Sequence, residues 1–170
     1  MDVIAVIAQK GGTGKTTLTL ALAVAAQLAG KVTAIVDLDP QSTASNWSDR
    51  REAESPVVVS AQPARLPHIL TSAGASGAAL VLIDTPPRAE QAALAAAKAA
   101  HLILIPCRPA IYDLETMATT LELVRFAGDK PVIAILNGVP PRGSKKDQAV
   151  DVIRQLGLRV CPAAFGWRMA

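Results

Sequence analysis

Short apolar runs alternate along the chain with stretches in which apolar residues recur every three or four positions. Six runs are apolar at nearly every position, and they lie at 3–8, 32–37, 57–60, 79–84, 102–106 and 132–137. Continuous apolar runs of this length are typical of strands in a parallel sheet that is buried on both faces.

The stretches between the runs have the spacing of amphipathic helices. The first places five apolar residues on one stripe and stops at Gly30. We predict helices at 16–29, 90–100, 113–127 and 146–156, with Asp113 as the N-cap of the third. The small-residue segment 72–78 is predicted to be a loop. Strand–helix alternation of this kind predicts an α/β fold, namely a three-layer open, mostly parallel sheet with helices on both faces.

Composition narrows the class of protein. The chain has 170 residues, of which 51% are hydrophobic and 18% charged, which predicts one folded domain. No run approaches the roughly 18 apolar residues of a membrane span. The apolar N-terminal segment reads as a first strand and not as a signal peptide. The two cysteines, Cys107 and Cys161, lack metal-ligand spacing and are expected to be reduced thiols in a cytoplasmic protein.

Positive charge is concentrated near the C-terminal end. Six basic and two acidic residues follow residue 139, which gives this region a charge of +4, whereas the whole chain has +3. A basic region of this kind suits a polyanionic partner, although solvated charges on helix faces give the same pattern.

Residues 9–17, QKGGTGKTT, form a glycine-rich loop between the first predicted strand and the first predicted helix. Gly14, Lys15 and Thr16 fit the end of a phosphate-binding loop, but Gln9 stands where the first glycine of that motif is expected. Backbone N–H groups of residues 11–16 can converge on a phosphate at the helix N-terminus. We therefore expect Lys15 to contact nucleotide phosphates and the Thr16 hydroxyl to bind Mg²⁺.

Three aspartates lie at the ends of predicted strands, where open α/β sheets bind ligands. Asp37 and Asp39 are two residues apart and point to the same side of an extended chain. Asp84 ends a buried strand, like the aspartate that holds magnesium in P-loop enzymes.

Four segments in order, KGGTGKTT, VDLDPQ, LIDTPP and ILN, resemble the deviant Walker A ATPases of the ParA/MinD superfamily. The resemblance runs from residue 3 to about residue 168 and implies a P-loop NTPase fold for a single domain, 1–170. The segment DPQSTASNW and the short chain are most similar to the small plasmid partition ATPases of the ParA (ParF-type) group. Members of that group usually continue for one or two further helices, which this chain is expected to lack.

The resemblance assigns roles to matching residues. It implies ATP or ADP as ligand, held by Gly11, Gly12, Thr13, Gly14, Lys15, Thr16, Thr17, Asn137 and Pro162, the last two at the adenine. It implies magnesium near Thr16, Asp37 and Asp84, and catalytic roles for Lys10, Lys15 and Asp39. Asp39 would position the attacking water, and Lys10 would reach the nucleotide of a second copy. Arg108 opens a loop that resembles the family's nucleotide-edge or partner-facing loop.

The implied function is ATP-dependent DNA partition by a cytoplasmic, nucleoid-associated homodimer. Such a protein binds DNA without sequence preference and is stimulated by a ParB-type adaptor, without membrane binding. The DNA-binding candidates are Arg142, Lys145, Lys146, Arg154, Arg159 and Arg168. Three alternatives stay open: an ATP-dependent biosynthetic ligase or synthetase, an ATPase that positions protein clusters, and a nucleotide-binding scaffold that does not hydrolyse.

Overall fold

The structure, a computed structural model, describes residues 1–128 and 130–166. In that part of the chain a single sheet has the strands β1 (Asp2–Val6), β2 (Thr33–Asp37), β3 (Val57–Ser60), β4 (Leu80–Asp84), β5 (Leu102–Cys107), β6 (Val132–Leu136) and β7 (Arg159–Val160). Their spatial order is β3-β2-β4-β1-β5-β6-β7, and every neighbouring pair is parallel. The six predicted strands are confirmed, and β7 is an additional edge strand.

The helices that connect the strands are α1 (Lys15–Leu28), α2 (Thr43–Asp49), α3 (Leu66–Ala75), α4 (Glu90–Ala99), α5 (Ile111–Phe126) and α6 (Lys145–Gln155). The four predicted helices are confirmed to within two residues at each end, whereas α2 and α3 were not predicted. The loop predicted at 72–78 is wrong for its first four residues, which form the last turn of α3. A 3-10 turn at Pro63–Arg65 leads into α3, and the burial of Leu66 anchors the helix to the core. Small residues then continue it, because alanine has the highest helix propensity.

Alternate residues of each central strand face opposite layers, as strand geometry requires. Val81 and Ile83 of β4 pack in a large cluster with α4, α5 and α6, whereas Leu80 and Leu82 pack with α1 and α2. The sheet is therefore covered by helices on both faces, and the predicted three-layer α/β fold is confirmed.

Parallel pairing brings the carboxyl ends of the central strands to one edge of the sheet. In the register, Asp84 of β4 is the partner of both Asp37 of β2 and Val6 of β1. The glycine-rich loop, which follows β1, therefore lies beside two of the three predicted carboxylates. Within the described residues, no helix is both long and apolar enough to cross a bilayer.

Candidate phosphate-binding site

The glycine-rich loop folds as a tight turn that leads directly into α1. Gly12 and Gly14 adopt positive φ angles of 71° and 91°, and Gly14 is the N-cap of the helix. A Cβ atom on Gly14 would overlap the side-chain amide of Asn137, so only glycine fits there. The first N–H groups of a helix have no partners within the helix, and they are aimed at the turn.

Two side chains from neighbouring strand ends rest on this loop. Asn137, which follows β6, donates from Nδ2 to the Thr13 carbonyl at 2.9 Å. Arg108, which follows β5, donates from Nη2 to the Gly12 carbonyl. Asn137 was predicted to contact adenine, and the structure brings it to the loop while leaving that role a prediction. Arg108 was predicted to open a nucleotide-edge or partner-facing loop; it contacts the glycine-rich loop, and both alternatives stay predictions.

Lys15 is almost fully buried at the start of α1, with 7% of its surface exposed. Its Nζ atom donates to the Lys10 carbonyl at 3.2 Å. Burial lowers the pKa of Lys15, and the nearby charges of Asp84 and Asp39 oppose that shift. The ammonium group therefore lies where an anionic ligand would offset its loss of hydration.

Lys10, the second lysine of the loop, pairs with a residue 103 positions away. Its Nζ atom donates to Asp113 Oδ2 at 2.5 Å and lies 5.8 Å from the centre of the Tyr112 ring. Asp113 was predicted to cap a helix, and that prediction is wrong: α5 begins at Ile111, with Ala110 as its N-cap. The Asp113 carboxylate points instead at Lys10, and only 3% of its side-chain surface is exposed.

Asp37 holds the backbone of the segment that follows it. Its Oδ1 atom accepts from Asp39 N at 3.0 Å, and Oδ2 accepts from Ala44 N and Ser45 N at 3.0 and 3.3 Å. The residue is fully buried, and burial raises the pKa of Asp37 while these three amides oppose the shift. Both oxygens therefore hold backbone N–H groups, and the predicted place of Asp37 near a metal stays a prediction.

Asp84 neighbours Asp37 across the sheet, but the hydrogen bonding of its carboxylate is different. The residue is 1% exposed, and neither carboxylate oxygen has a hydrogen-bond partner among the described residues. Burial raises the pKa of Asp84 to about 7, while the nearby Thr16 hydroxyl, outside hydrogen-bonding geometry, and Lys15 oppose the shift. Two orphaned oxygens beside a helix N-terminus are what a cation would satisfy.

These residues fit Mg²⁺ as it is held in nucleotide enzymes. Within residues 1–128 and 130–166, no group of three or more acidic, His or Cys side chains is arranged to bind a metal. Mg²⁺ usually takes one or two protein ligands and fills its shell with water and substrate phosphates. Thr16 and Asp84 fit such a pair, and Asp37 lies beside Asp84 in the neighbouring strand.

Asp39 follows β2 and lines a cavity between the segments that follow β2 and β3. Its Oδ1 atom accepts from Gln41 N at 2.9 Å, and its own N–H is held by Asp37. A cavity of about 620 Å³ opens next to it, with Ser42, Ser60 and Arg65 in its wall. The carboxylate is partly exposed and its backbone is constrained, so a water molecule can reach it in a defined position.

The segment after β7 returns to the carboxyl end of β6. Phe165 donates its N–H to the Leu136 carbonyl and accepts from Val139 N, at 2.9 and 3.0 Å. Phe165, Thr17 and Asn137 line one small crevice, whereas Pro162 is exposed and is not among its lining residues. The predicted base contact by Pro162 thus stays a prediction, and Phe165 is a neighbour of Asn137 that was not predicted.

The basic residues predicted to bind DNA are separated along α6. Arg142, Lys145 and Lys146 lie at its N-terminal end, and Arg154 and Arg159 lie near its C-terminal end. All five are exposed, and none takes part in the ion pairs found among the described residues. Arg168 lies outside the described residues.

Comparison with known proteins gives a family and a fold. A family model described as the CobQ/CobB/MinD/ParA nucleotide binding domain matches residues 4–163. Maintenance of carboxysome distribution protein A from Gloeobacter kilaueensis is 37% identical over 163 residues, which cover 95% of this chain and 73% of that protein. The chromosome-partitioning ATPase Soj from Thermus thermophilus is 33% identical over 165 residues, which cover 78% of this chain and 66% of that protein.

Solved structures agree on the fold at lower identity. Cobyrinic acid a,c-diamide synthase from Mycobacterium smegmatis, with bound ADP and magnesium, has a TM-score of 0.82 at 20% identity and covers 100% of this chain and 88% of its own. The septum site-determining protein MinD from Pyrococcus horikoshii, complexed with Mg-ADP, has a TM-score of 0.77 at 21% identity. The match covers 98% of this chain and 82% of that one. Proteins with this fold thus bind a nucleotide with magnesium.

Proposed function

Because the chain belongs to the CobQ/CobB/MinD/ParA family of nucleotide-binding domains, we propose that it is a partition-type ATPase whose dimer forms on ATP. One observation carries the proposal: a phosphate loop with a buried lysine, Lys15, also presents a second lysine, Lys10, at the surface. One lysine suffices for the chain's own phosphates, so Lys10, which pairs with Asp113 in the single chain, would exchange that partner for the nucleotide of a second copy.

In this proposal the loop residues 11–17 bind the phosphates of ATP through backbone N–H groups and the Lys15 ammonium. Thr16 and Asp84 would hold the magnesium ion, which would neutralise charge on the phosphates. Asn137 and the segment around Pro162 and Phe165 would lie at the base. Asp39 would orient the attacking water, because it is the one partly exposed carboxylate of the three.

The surface around Lys10 has the properties of an interface between copies. Ile111 and Tyr112, next to the Lys10 partner Asp113, are 72% and 73% exposed. Large exposed apolar side chains beside a charged group are typical of association surfaces. A lysine that comes from the partner would bring positive charge to the γ-phosphate only in the dimer, which would couple hydrolysis to assembly.

Partition requires DNA and an adaptor in addition to ATP. The exposed cations near the C-terminal end of α6, Arg154 and Arg159, support phosphate contacts without sequence preference. Both named relatives, a chromosome-partitioning ATPase and a carboxysome distribution protein, distribute a cargo. We therefore propose a cytoplasmic protein that binds nucleoid DNA as an ATP dimer and is released by a ParB-type adaptor.

A second candidate is the positioning of a protein assembly instead of DNA. It is favoured by the 37% identity to the carboxysome distribution protein. Both candidates share the ATP cycle and DNA binding and differ only in cargo. The biosynthetic alternative has a likeness of fold alone to the diamide synthase, at 20% identity.

A DNA shift assay with ATP, ADP and no nucleotide tests the shared cycle. We expect salt-sensitive binding of random-sequence duplex with ATP only, and its loss in Lys15→Ala. Lys31→Ala, which removes an exposed lysine between α1 and β2, should still bind ATP. Asp39→Ala should bind ATP and DNA but hydrolyse slowly. Binding that ignores the nucleotide would refute the proposal.

The role of Lys10 in trans has its own test. Lys10→Ala and Lys15→Ala should each hydrolyse little ATP alone. Mixed together they should recover part of the activity, because the first can bind ATP and the second can donate Lys10. If Lys10→Ala alone hydrolyses ATP like the wild type, the partner's lysine is not used.

A further inference from the structure

A cavity of about 430 Å³ opens at the amino edge of the sheet, at the opposite end from the phosphate loop. Three basic side chains line it: Arg125 in the last turn of α5, Lys130 just before β6, and Arg159 at the start of β7. They are up to 34 positions apart in sequence and meet because α5 ends where β6 and β7 begin, with Ile133 paired to Arg159.

The positive charge at this cavity exceeds the negative charge of the neighbouring helix C-termini. The C-termini of α5 and α6, at Phe126 and Gln155, lie next to the cavity, which Gly128 and Gly157 line, and each carries about half a negative charge. Two such ends offset about one of the three cations. Asp129, which lies outside the described residues, would offset one more if its charge is counted in full. The net charge around the cavity therefore stays positive.

The apolar walls of the cavity strengthen the positive electrostatic potential inside it. Leu121, Val124 and Leu158 contribute apolar surface, and no acidic residue lines the cavity in the described part of the chain. Clefts with low-dielectric walls and charges of one sign focus the electrostatic potential on a counter-ion. None of the three cations takes part in an ion pair among the residues described.

We propose that Arg125, Lys130 and Arg159, here called the amino-edge cluster, bind DNA through its backbone phosphates. The inference rests on the proposed function and specifies its DNA surface. Among the described residues no aromatic side chain lines the cavity, so contacts to phosphates and not base stacking are the mode that it offers. The position also leaves the opposite edge, with Lys10, free for a second copy, so that one dimer can hold ATP and DNA together.

The basic residues at the N-terminal end of α6, far from the cavity, provide a charge-matched control. The variant Arg125→Ala/Lys130→Ala/Arg159→Ala removes three positive charges, and so does Arg142→Ala/Lys145→Ala/Lys146→Ala. Both are compared with the wild type by fluorescence anisotropy of a random-sequence duplex, with ATP present, over a salt series. Circular dichroism and ATP binding confirm that each variant is folded.

We expect the amino-edge variant to lose at least tenfold in DNA affinity and the control less than threefold. The slope of log affinity against log salt should fall by about 3 per protomer, because each phosphate contact contributes about 0.9. Arg125→Lys/Arg159→Lys, which keeps the charge, should stay close to the wild type. ATP binding and basal hydrolysis should not change in any of these variants.

Wild-type affinity in the amino-edge variant would overturn the inference, and so would equal losses in the two triple variants, which would indicate net charge alone. In both cases the wild type still binds DNA with ATP, and the proposed function stands. A wild type that fails to bind DNA in the ATP state would instead overturn the proposed function, and this inference with it.

Discussion

Replacing Asp84 by Asn should stabilise the protein at pH 8 in the absence of nucleotide and magnesium, although it should also weaken magnesium-dependent binding of ATP. The Asp84 carboxylate is 1% exposed, and neither oxygen has a hydrogen-bond partner among the described residues. Burial therefore raises the pKa of Asp84 from 3.8 to about 7. Folding at pH 8 buries a charge there that Lys15 and Thr16 offset only in part, whereas an amide carries no charge.

The sign and size follow from proton linkage. A carboxyl whose pKa is raised in the folded state stabilises the fold least when it is ionised, so stability falls as pH rises from 3.8 to about 7. At about 1.4 kcal/mol per pKa unit, the penalty is about 1 kcal/mol at pH 4.5 and about 4 kcal/mol at pH 8. The free energy of unfolding of Asp84→Asn, relative to wild type, should thus rise by about 3 kcal/mol between these pH values.

Urea unfolding of both proteins at pH 4.5 and pH 8, with chelator present, measures this difference. A protein of this size shifts in melting temperature by about 2–4 °C per kcal/mol, so thermal melts give a second reading. Asp151→Asn removes an exposed carboxylate from α6 and should change stability by less than about 0.5 kcal/mol at either pH. A difference between Asp84→Asn and wild type that varies by less than about 1 kcal/mol with pH would refute the reasoning.

Three further predictions concern the loop and its supports. Gly14→Ala should abolish nucleotide binding, because its Cβ atom would overlap a neighbouring side chain. Gly30 has a similar positive φ but open space around it, so Gly30→Ala should cost only about 1 kcal/mol of stability. Asp113→Asn removes the charge that holds Lys10 within its own chain, and it should lower the ATP concentration at which dimers appear in sedimentation. Asp37→Asn replaces an acceptor of backbone N–H groups by a donor, so hydrolysis should fall more than tenfold while ATP affinity changes less than threefold.

Each of these has an outcome that contradicts it. Equal effects of the two glycine variants would indicate backbone strain and not close approach as the cause. Dimers that form at the same ATP concentration in Asp113→Asn would mean that the Lys10 contact within the chain does not limit association. If Asp37→Asn loses ATP affinity in step with hydrolysis, Asp37 acts on binding and does not merely position Asp39.

The strands and the phosphate loop could be predicted because their signals are local. An apolar run buried on both faces is continuous in sequence, and the turn between strand and helix needs glycines at set positions. The helix α3 could not be predicted, since its small residues are also typical of loops and its anchor, Leu66, is identified only by burial.

Contacts between residues that are far apart in sequence could not be predicted for a different reason. Asp113 has the residue type and position of a helix cap, and only the fold places it 2.5 Å from Lys10. Arg125, Lys130 and Arg159 likewise come from three elements that meet at one edge of the sheet. Local patterns predict elements, whereas pairs of charges depend on how the elements are arranged.

Asp37 and Asp84 show where a local signal was present and was not used. They end adjacent strands as register partners, yet the carboxylate of Asp37 accepts three backbone N–H groups and that of Asp84 has no hydrogen-bond partner among the described residues. Asp37 accepts from the N–H two residues later, that of Asp39. The residue two after Asp84 is Pro86, which has no N–H, and another proline follows it. An aspartate at a strand end followed by prolines thus lacks local N–H donors for its carboxylate, whereas one followed by a donor-rich turn holds that turn in place.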